Sequence, residues 1–145
     1  MAMRYFHPIF PITLFIVASL FFPAPVRTET DATSPPSEKL TLAAAAMCEG
    51  IEGNQPLDES IVFSVSIGHI LCFTRFDPVP KDTVVFHDWY FRDKLYFSKK
   101  LTLHPPQWST FSRISIRVND RGPWRVEILD QGKRHLKTLR FSIVD

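Results

Sequence analysis

A histidine and a tryptophan two residues apart, His87 and Trp89, are the side chains of this sequence best suited to take part in chemistry. They lie in Thr83–Phe91, the run richest in aromatic and β-branched residues, and this composition predicts a strand. Alternate residues of a strand share a face, so both side chains are expected to point the same way. We predict that His87 is a core residue with one satisfied hydrogen bond; the alternatives are a metal ligand or a proton-transfer group.

A metal or hydrolytic site around His87 would need partner side chains. The candidates are His69, His104, His135 and Asp88, and the sequence does not show that they converge. No serine, histidine and acid are placed together for acyl transfer, and neither paired catalytic carboxylates nor a glycine-rich phosphate loop is present. The sequence therefore predicts no catalytic residue, no metal site, no cofactor and no enzymatic activity.

Tryptophan and arginine supply the candidate binding residues. Trp89 and Trp124 have the parity of inward-facing strand residues, which favours core packing, whereas Trp108 lies beside two prolines at the border of a loop and a strand. Exposed tryptophans could form a platform for sugar rings or a partner protein. Several arginines could line one outer sheet face, although a solvated face is the simpler interpretation. The candidate binding residues are His87, Trp89, Trp108, Arg113, Trp124 and Arg125, and the other arginines of that face are Arg117 and Arg140.

The sequence contains two cysteines, Cys48 and Cys72. In an exported protein a disulfide between them is expected, worth about 3 kcal/mol in the chain-entropy model. The alternative, a redox-active or metal-binding pair, is weaker because there is no C-x-x-C motif.

Charge is unevenly distributed although the net charge is only +2. Residues 33–91 carry three Lys/Arg against eight Asp/Glu, and residues 92–145 carry twelve against five. The basic half could attract an anionic surface, but we expect the charges to be interleaved once strands of both halves pair. A nucleic-acid partner is not expected for an exported domain of such low net charge.

The N-terminal region predicts export. Residues 1–27 contain Arg4 followed by an apolar run from Ile9 to Phe22, a pattern typical of a signal peptide and shorter than a membrane span requires. Cleavage is expected after residue 27 or as late as residue 32; the alternative is an uncleaved membrane anchor. Residues 28–39 have the composition of a linker, and residues 40–145 suffice for one domain.

The remaining sequence predicts about seven short strands separated by turn signals every 8–12 residues. This is the pattern of an all-β, antiparallel, immunoglobulin-like β-sandwich. It does not predict a true immunoglobulin domain, because both cysteines precede Trp89.

From Gly68 to Val144 the chain resembles a bacterial domain-of-unknown-function family, number two-nine-one-four, whose members tend to be exported or envelope-associated. Where members usually carry an arginine after the tryptophan of the third motif, this chain has Ser109, which argues against a basic site there. The resemblance implies a compact extracytoplasmic β domain without an established activity. The segments that carry it are Gly68–Thr74, His87–Tyr90, Pro106–Ser112, Gly122–Glu127, Asp130–Gly132 and Leu139–Val144.

These observations lead to three hypotheses about function. The first is a periplasmic or secreted, non-enzymatic β-sandwich that binds an envelope protein or polysaccharide. The second is a metal-binding or hydrolytic site around His87, and the third is a structural accessory domain without a ligand. The sequence does not indicate the oligomeric state, and membrane attachment would arise only through an uncleaved N-terminus.

Overall fold

The computed structural model describes residues 39–145, which form β-strands, two 3-10 turns (Val65–Ile67 and Val118–Asp120) and connecting loops. No helix among these residues is long and apolar enough to cross a membrane. The predicted signal peptide and all of the predicted linker except Lys39 lie outside the described residues. The strands are β1 Leu42–Glu52, β2 Gln55–Glu59, β3 Val62–Ser64, β4 His69–Phe76, β5 Thr83–Phe91, β6 Lys94–Leu103, β7 Trp108–Ser115, β8 Gly122–Leu129 and β9 His135–Val144.

The strands form two sheets, in the order β2-β1-β4-β7 and β3-β9-β8-β5-β6. All pairings are antiparallel except β3 with β9, which is parallel. The predicted all-β sandwich is thus confirmed, with nine strands in place of about seven. Both β6 and β7 are edge strands of the described region, and they border the same side of the sandwich.

The strand order is that of an immunoglobulin-like sandwich. Strands β1, β4 and β7 stand where strands A, B and E stand in that fold, and β9, β8, β5 and β6 stand where G, F, C and C′ stand. Trp89 lies on β5, the C position, and packs in one core cluster with Cys72 of β4, the B position. The F-position strand β8 contains no cysteine, so the inter-sheet disulfide of immunoglobulins has no counterpart here.

The core consists of two clusters between the sheets, one around Trp89 and one around Val85. The odd-numbered face of β5 points inward, and Val85, His87 and Trp89 are completely buried. On its other face Val84, Phe86 and Tyr90 are half-buried and Asp88 is buried, so neither face is fully solvated, as the composition predicts.

Strand β2 begins at a tight turn. Gly53 and Asn54 both have positive φ, 52° and 61°, as a two-residue type I′ hairpin turn requires. They reverse the chain into β2 although that strand contains Pro56. A proline is tolerated there because β2 is an edge strand and its missing N–H faces away from the sheet.

The fold interleaves some charges of the two halves, as Lys133 and Asp88 show at 3.7 Å, but it separates the charges of the sheet edges. Strands β1 and β2 contain four carboxylates and no cation, and they form one edge of the four-stranded sheet. On the opposite side, β6 contains three lysines and β7 one arginine, without any acid in either strand. The acidic first half and the basic second half of the sequence therefore supply opposite edges of the sandwich.

Candidate functional site

His87 is the centre of a buried polar network that joins the two sheets. Its Nδ1 lies 2.8 Å from Ser112 Oγ on β7, and its Nε2 lies 3.2 Å from Thr74 Oγ1 on β4. The indole Nε1–H of Trp89 donates to the same Ser112 oxygen at 2.9 Å. Thr74 and Ser112 are also buried, so the network lies entirely within the core.

One protonation state gives every hydrogen of this network an acceptor. If Nε2–H of a neutral His87 donates to Thr74, the Thr74 hydroxyl is left to donate to the carbonyl of Thr110, 3.5 Å away. The Ser112 hydroxyl then donates to Nδ1 and accepts from Trp89. Burial lowers the pKa of His87 to about 4, which also favours the neutral ring.

The network has the chemistry of a structural core histidine. A buried imidazole that contacts two hydroxyls and an indole lacks a carboxylate to orient it, and substrate cannot reach the serine. The core position is the one predicted for His87, and the structure gives it two hydroxyl partners where one hydrogen bond is predicted. Within residues 39–145 no three histidine, cysteine or acidic side chains cluster as metal ligands would.

The side chains named as partners for a His87 site lie elsewhere. His69 contacts the carbonyl of Glu49, His104 contacts Asp82, and His135 contacts the hydroxyl of Thr138. Asp88 points to the opposite face of β5, where it accepts a hydrogen bond from Ser98 and lies 3.7 Å from Lys133. None of these groups is brought to His87.

The predicted disulfide between Cys48 and Cys72 is wrong, because both cysteines are free. Met47 is the register partner of Cys72 on β4, so the next residue, Cys48, points to the opposite face of the sheet. Cys72 packs with Met47 in the inter-sheet core, whereas Cys48 packs with Leu71 and Phe73. Cysteines whose Cβ vectors point apart cannot be bridged without moving the backbone.

Two of the three candidate tryptophans are core residues, as their parity predicts. Trp89 and Trp124 are 0% and 3% exposed, whereas Trp108 is 38% exposed and contacts the ring of His104 edge-on. The buried Trp124 also contacts two residues nearer the surface. Its ring packs edge-on against Tyr96, and its Nε1–H donates to the carbonyl of Asp120 at 2.7 Å.

Arg125 is fully engaged by its neighbours. Its guanidinium lies over the ring of Tyr90 and pairs with Glu127 and Asp93. The hydrogen bond to Glu127, followed by the charges of both acids, raises the pKa of Arg125. A guanidinium with these partners contributes to the surface of the sheet and has little capacity left for a ligand.

Arg113, in contrast, lies in an open groove between the edge strands β6 and β7, which we call the β6–β7 groove. It has a volume of about 540 Å³, and the core residue Ile114 lines its inner side. The side chains that give it its chemistry are Tyr96, Phe97, Arg113, Arg117, Asn119 and Asp120.

The groove combines exposed aromatic rings with uncompensated positive charge. Tyr96 is 52% and Phe97 37% exposed. Within the described part of the chain, neither Arg113 nor Arg117 has a carboxylate within ion-pairing distance. The one groove acid, Asp120, accepts the backbone N–H of Arg117 at 2.7 Å. The groove can therefore accept an anionic group on the guanidiniums and apolar surface on the rings.

Reasoning from the sequence placed Arg113 among the candidates but not Tyr96 and Phe97. Regular alternation along β6 predicts that Leu95 and Phe97 face inward with Leu101 and Leu103. In the structure Trp89 pairs with Phe97 and Tyr90 with Leu95, so Tyr96 is the extra residue of a β-bulge. The bulge turns Leu95 to the face of Tyr90. Phe97 keeps the inward parity of its partner Trp89 and of the buried Leu101 and Leu103, but it is exposed because it lies at the open groove. Three consecutive apolar residues, which break the alternation, are the sequence signal of this bulge.

Residues 82–143 match the family described as "Protein of unknown function (DUF2914)", which confirms the resemblance over β5 to β9. The segment Gly68–Thr74 lies outside the matched residues. No curated protein matches the chain.

Proposed function

We propose that this chain, whose residues 82–143 match a family of unknown function, is an exported, non-enzymatic binding domain. In this proposal it holds a protein or polysaccharide of the cell envelope in the β6–β7 groove. Export is proposed from the N-terminal sequence, with its positively charged start and apolar run.

The observation that carries the proposal is the groove itself. Two guanidiniums without acidic partners among residues 39–145 lie in one concave surface with two exposed aromatic rings. Arginine and tyrosine are among the residues enriched at binding hot spots. The buried network around His87 does not support the alternative of a hydrolytic or metal site, because it is closed to solvent and satisfied by hydroxyl groups.

The proposal is tested with full-length protein and purified cell envelopes. The double variant Arg113→Ala/Arg117→Ala should lower co-sedimentation with envelopes by about tenfold or more, the loss typical of a hot spot. Arg75→Ala/Arg140→Ala is the matched control, because these two guanidiniums line other surfaces than the β6–β7 groove. Equal thermal stability of the variants would establish that folding is unaffected.

Equal binding of the groove variant and the control would contradict the proposal. Absence of envelope binding by the unmodified protein would favour the third hypothesis, a structural domain without a ligand.

A further inference from the structure

We infer that the edge of β6 accepts an acidic, extended segment of a partner protein as an added β-strand. This inference rests on the proposed binding function and specifies both the class of partner and how it is held. It starts from an unusual feature of β6: residues 94–100 are exposed on both faces of the strand. Among them Leu95, Tyr96 and Phe97 present consecutive apolar side chains at 57%, 52% and 37% exposure.

β6 is the most accessible long edge in the described region. It has ten residues, no proline, and no strand on its outer side. Backbone N–H and C=O groups of such an edge lack partners and are a template for another strand. The edge strand β2 is blocked by Pro56 and by the positive φ of Asp58, 54°, and β3 has only three residues. The remaining edge strand, β7, lies on the other side of the β6–β7 groove, so it belongs to the same proposed binding surface as β6.

The charges around β6 indicate what kind of strand would bind. Lys94, Lys99 and Lys100 are exposed along it, and β6 contains no acid. Arg113 and Arg117 add two guanidiniums across the groove. Lysines on an edge strand oppose pairing with an identical edge, since like charges face each other. The same lysines attract an acidic strand and speed its association.

A second copy of this chain is a poorer occupant than another protein. Its acidic edge is β2, where Asp58 and Glu59 lie. Pro56 removes a backbone donor there, and the left-handed conformation of Asp58 interrupts a regular ladder. The acids of the chain are therefore on an edge that pairs poorly, and the partner must bring its own acidic strand.

An added peptide strand uses more of this surface than an acidic polysaccharide would. A polysaccharide could stack on Tyr96 and bind Arg113, but it would leave the backbone groups of β6 without partners. A peptide strand pairs with those backbone groups while its alternating side chains contact Lys100 on one face, and Lys99 and the groove on the other. The edge, the apolar run and the cations are all accounted for by one ligand.

The test uses full-length protein and a short blocked peptide of alternating glutamate and valine. We expect saturable binding, and slower amide hydrogen exchange within residues 94–100 when the peptide is bound. In a second version of the peptide, every other backbone nitrogen is methylated, on the edge that would face β6. This version should bind about tenfold or more weakly, because it cannot donate hydrogen bonds to the backbone of β6. A control peptide of alternating lysine and valine, which carries the opposite charge, should not bind.

Charge-reversed variants locate the site. Lys99→Glu/Lys100→Glu should weaken binding of the glutamate–valine peptide about tenfold or more. The control Lys81→Glu/Lys137→Glu makes the same charge change at exposed positions away from β6 and should stay within about twofold.

Failure of the peptide to bind, or equal binding after N-methylation, would overturn strand addition. If polygalacturonate instead bound in a manner that depended on Arg113 and Arg117, the groove would remain the binding site and the ligand class would change to acidic polysaccharide. Self-association abolished by Lys99→Glu/Lys100→Glu would replace the partner with a second copy. Envelope binding insensitive to the groove arginines would remove the proposed function itself.

Discussion

At the scale of single residues, Ser112 holds the polar core together. It is the shared partner of the His87 ring and the Trp89 indole, 2.8 Å and 2.9 Å away. Because His87 and Trp89 belong to one sheet and Ser112 to the other, this hydroxyl ties the two sheets at a buried point where water cannot substitute for it.

Ser112→Ala should lower the free energy of unfolding by about 2–4 kcal/mol, because it leaves an indole N–H and an imidazole nitrogen buried without partners. Urea unfolding of full-length protein measures this. Ser115→Ala is the matched control on the same strand; its side chain is exposed, so it should change stability by less than about 0.5 kcal/mol. Equal effects of the two substitutions would show that the network contributes nothing to stability.

His87 should make stability depend on pH. Burial lowers its pKa from 6.5 to about 4, so between these values the unfolded chain binds a proton that the native protein does not. Stability is therefore highest above about pH 6.5 and falls on acidification towards pH 4, by about 3 kcal/mol for a shift of this size. Urea unfolding at a series of pH values tests this, and His87→Gln should remove this part of the pH dependence. The same pH profile in both proteins would contradict the prediction.

At the scale of elements, strand parity decides the state of the cysteines. Cys48 and Cys72 lie on neighbouring strands, but their side chains point to opposite faces of the sheet. Burial raises the pKa of Cys48 to about 11 and also raises that of Cys72, so neither forms the reactive thiolate near neutral pH.

We therefore expect two free thiols in native full-length protein. Its intact mass should be unchanged by reductant, and alkylation should be slow until denaturant is added, when two adducts should form. Cys48→Ala should show one adduct under the same denaturing conditions. A mass increase of about two units on reduction, one hydrogen per sulfur, would contradict the strand register.

The elements also show how far the sequence alone predicts the structure. Thr83–Phe91 is predicted with its correct bounds and inward face because its apolar residues fit one strand parity and its ends carry turn residues. The cysteine pairing fails because parity across two strands depends on their register, which neither strand encodes alone. The β6–β7 groove is predictable only in part: the apolar run around Tyr96 signals the bulge, but the meeting of edges from two different sheets depends on the tertiary fold.

At the scale of the whole molecule, the two edges of the sandwich carry opposite charge. The cations of β6 and β7 border the groove, and the acids of β1 and β2 lie across the four-stranded sheet. No carboxylate of β1 or β2 lines the β6–β7 groove, so these acids act on a ligand in the groove only through space. Such interactions are screened beyond the Debye length of about 8 Å at physiological salt but extend over about 30 Å at 0.01 M.

The acidic edge should therefore oppose binding of an acidic ligand only at low salt. Removing three of its four carboxylates by Glu52→Gln/Asp58→Asn/Glu59→Gln should speed association of the glutamate–valine peptide at about 0.01 M salt and have little effect at about 0.15 M. Stopped-flow association rates at both salt concentrations measure this. The variant Lys99→Glu/Lys100→Glu is compared with it under the same conditions. Those lysines lie along the proposed site, so their reversal should slow association at both concentrations. An equal effect of the acidic-edge variant at both salt concentrations would mean that its carboxylates act through direct contact with the peptide, and the site would then extend beyond the β6–β7 groove.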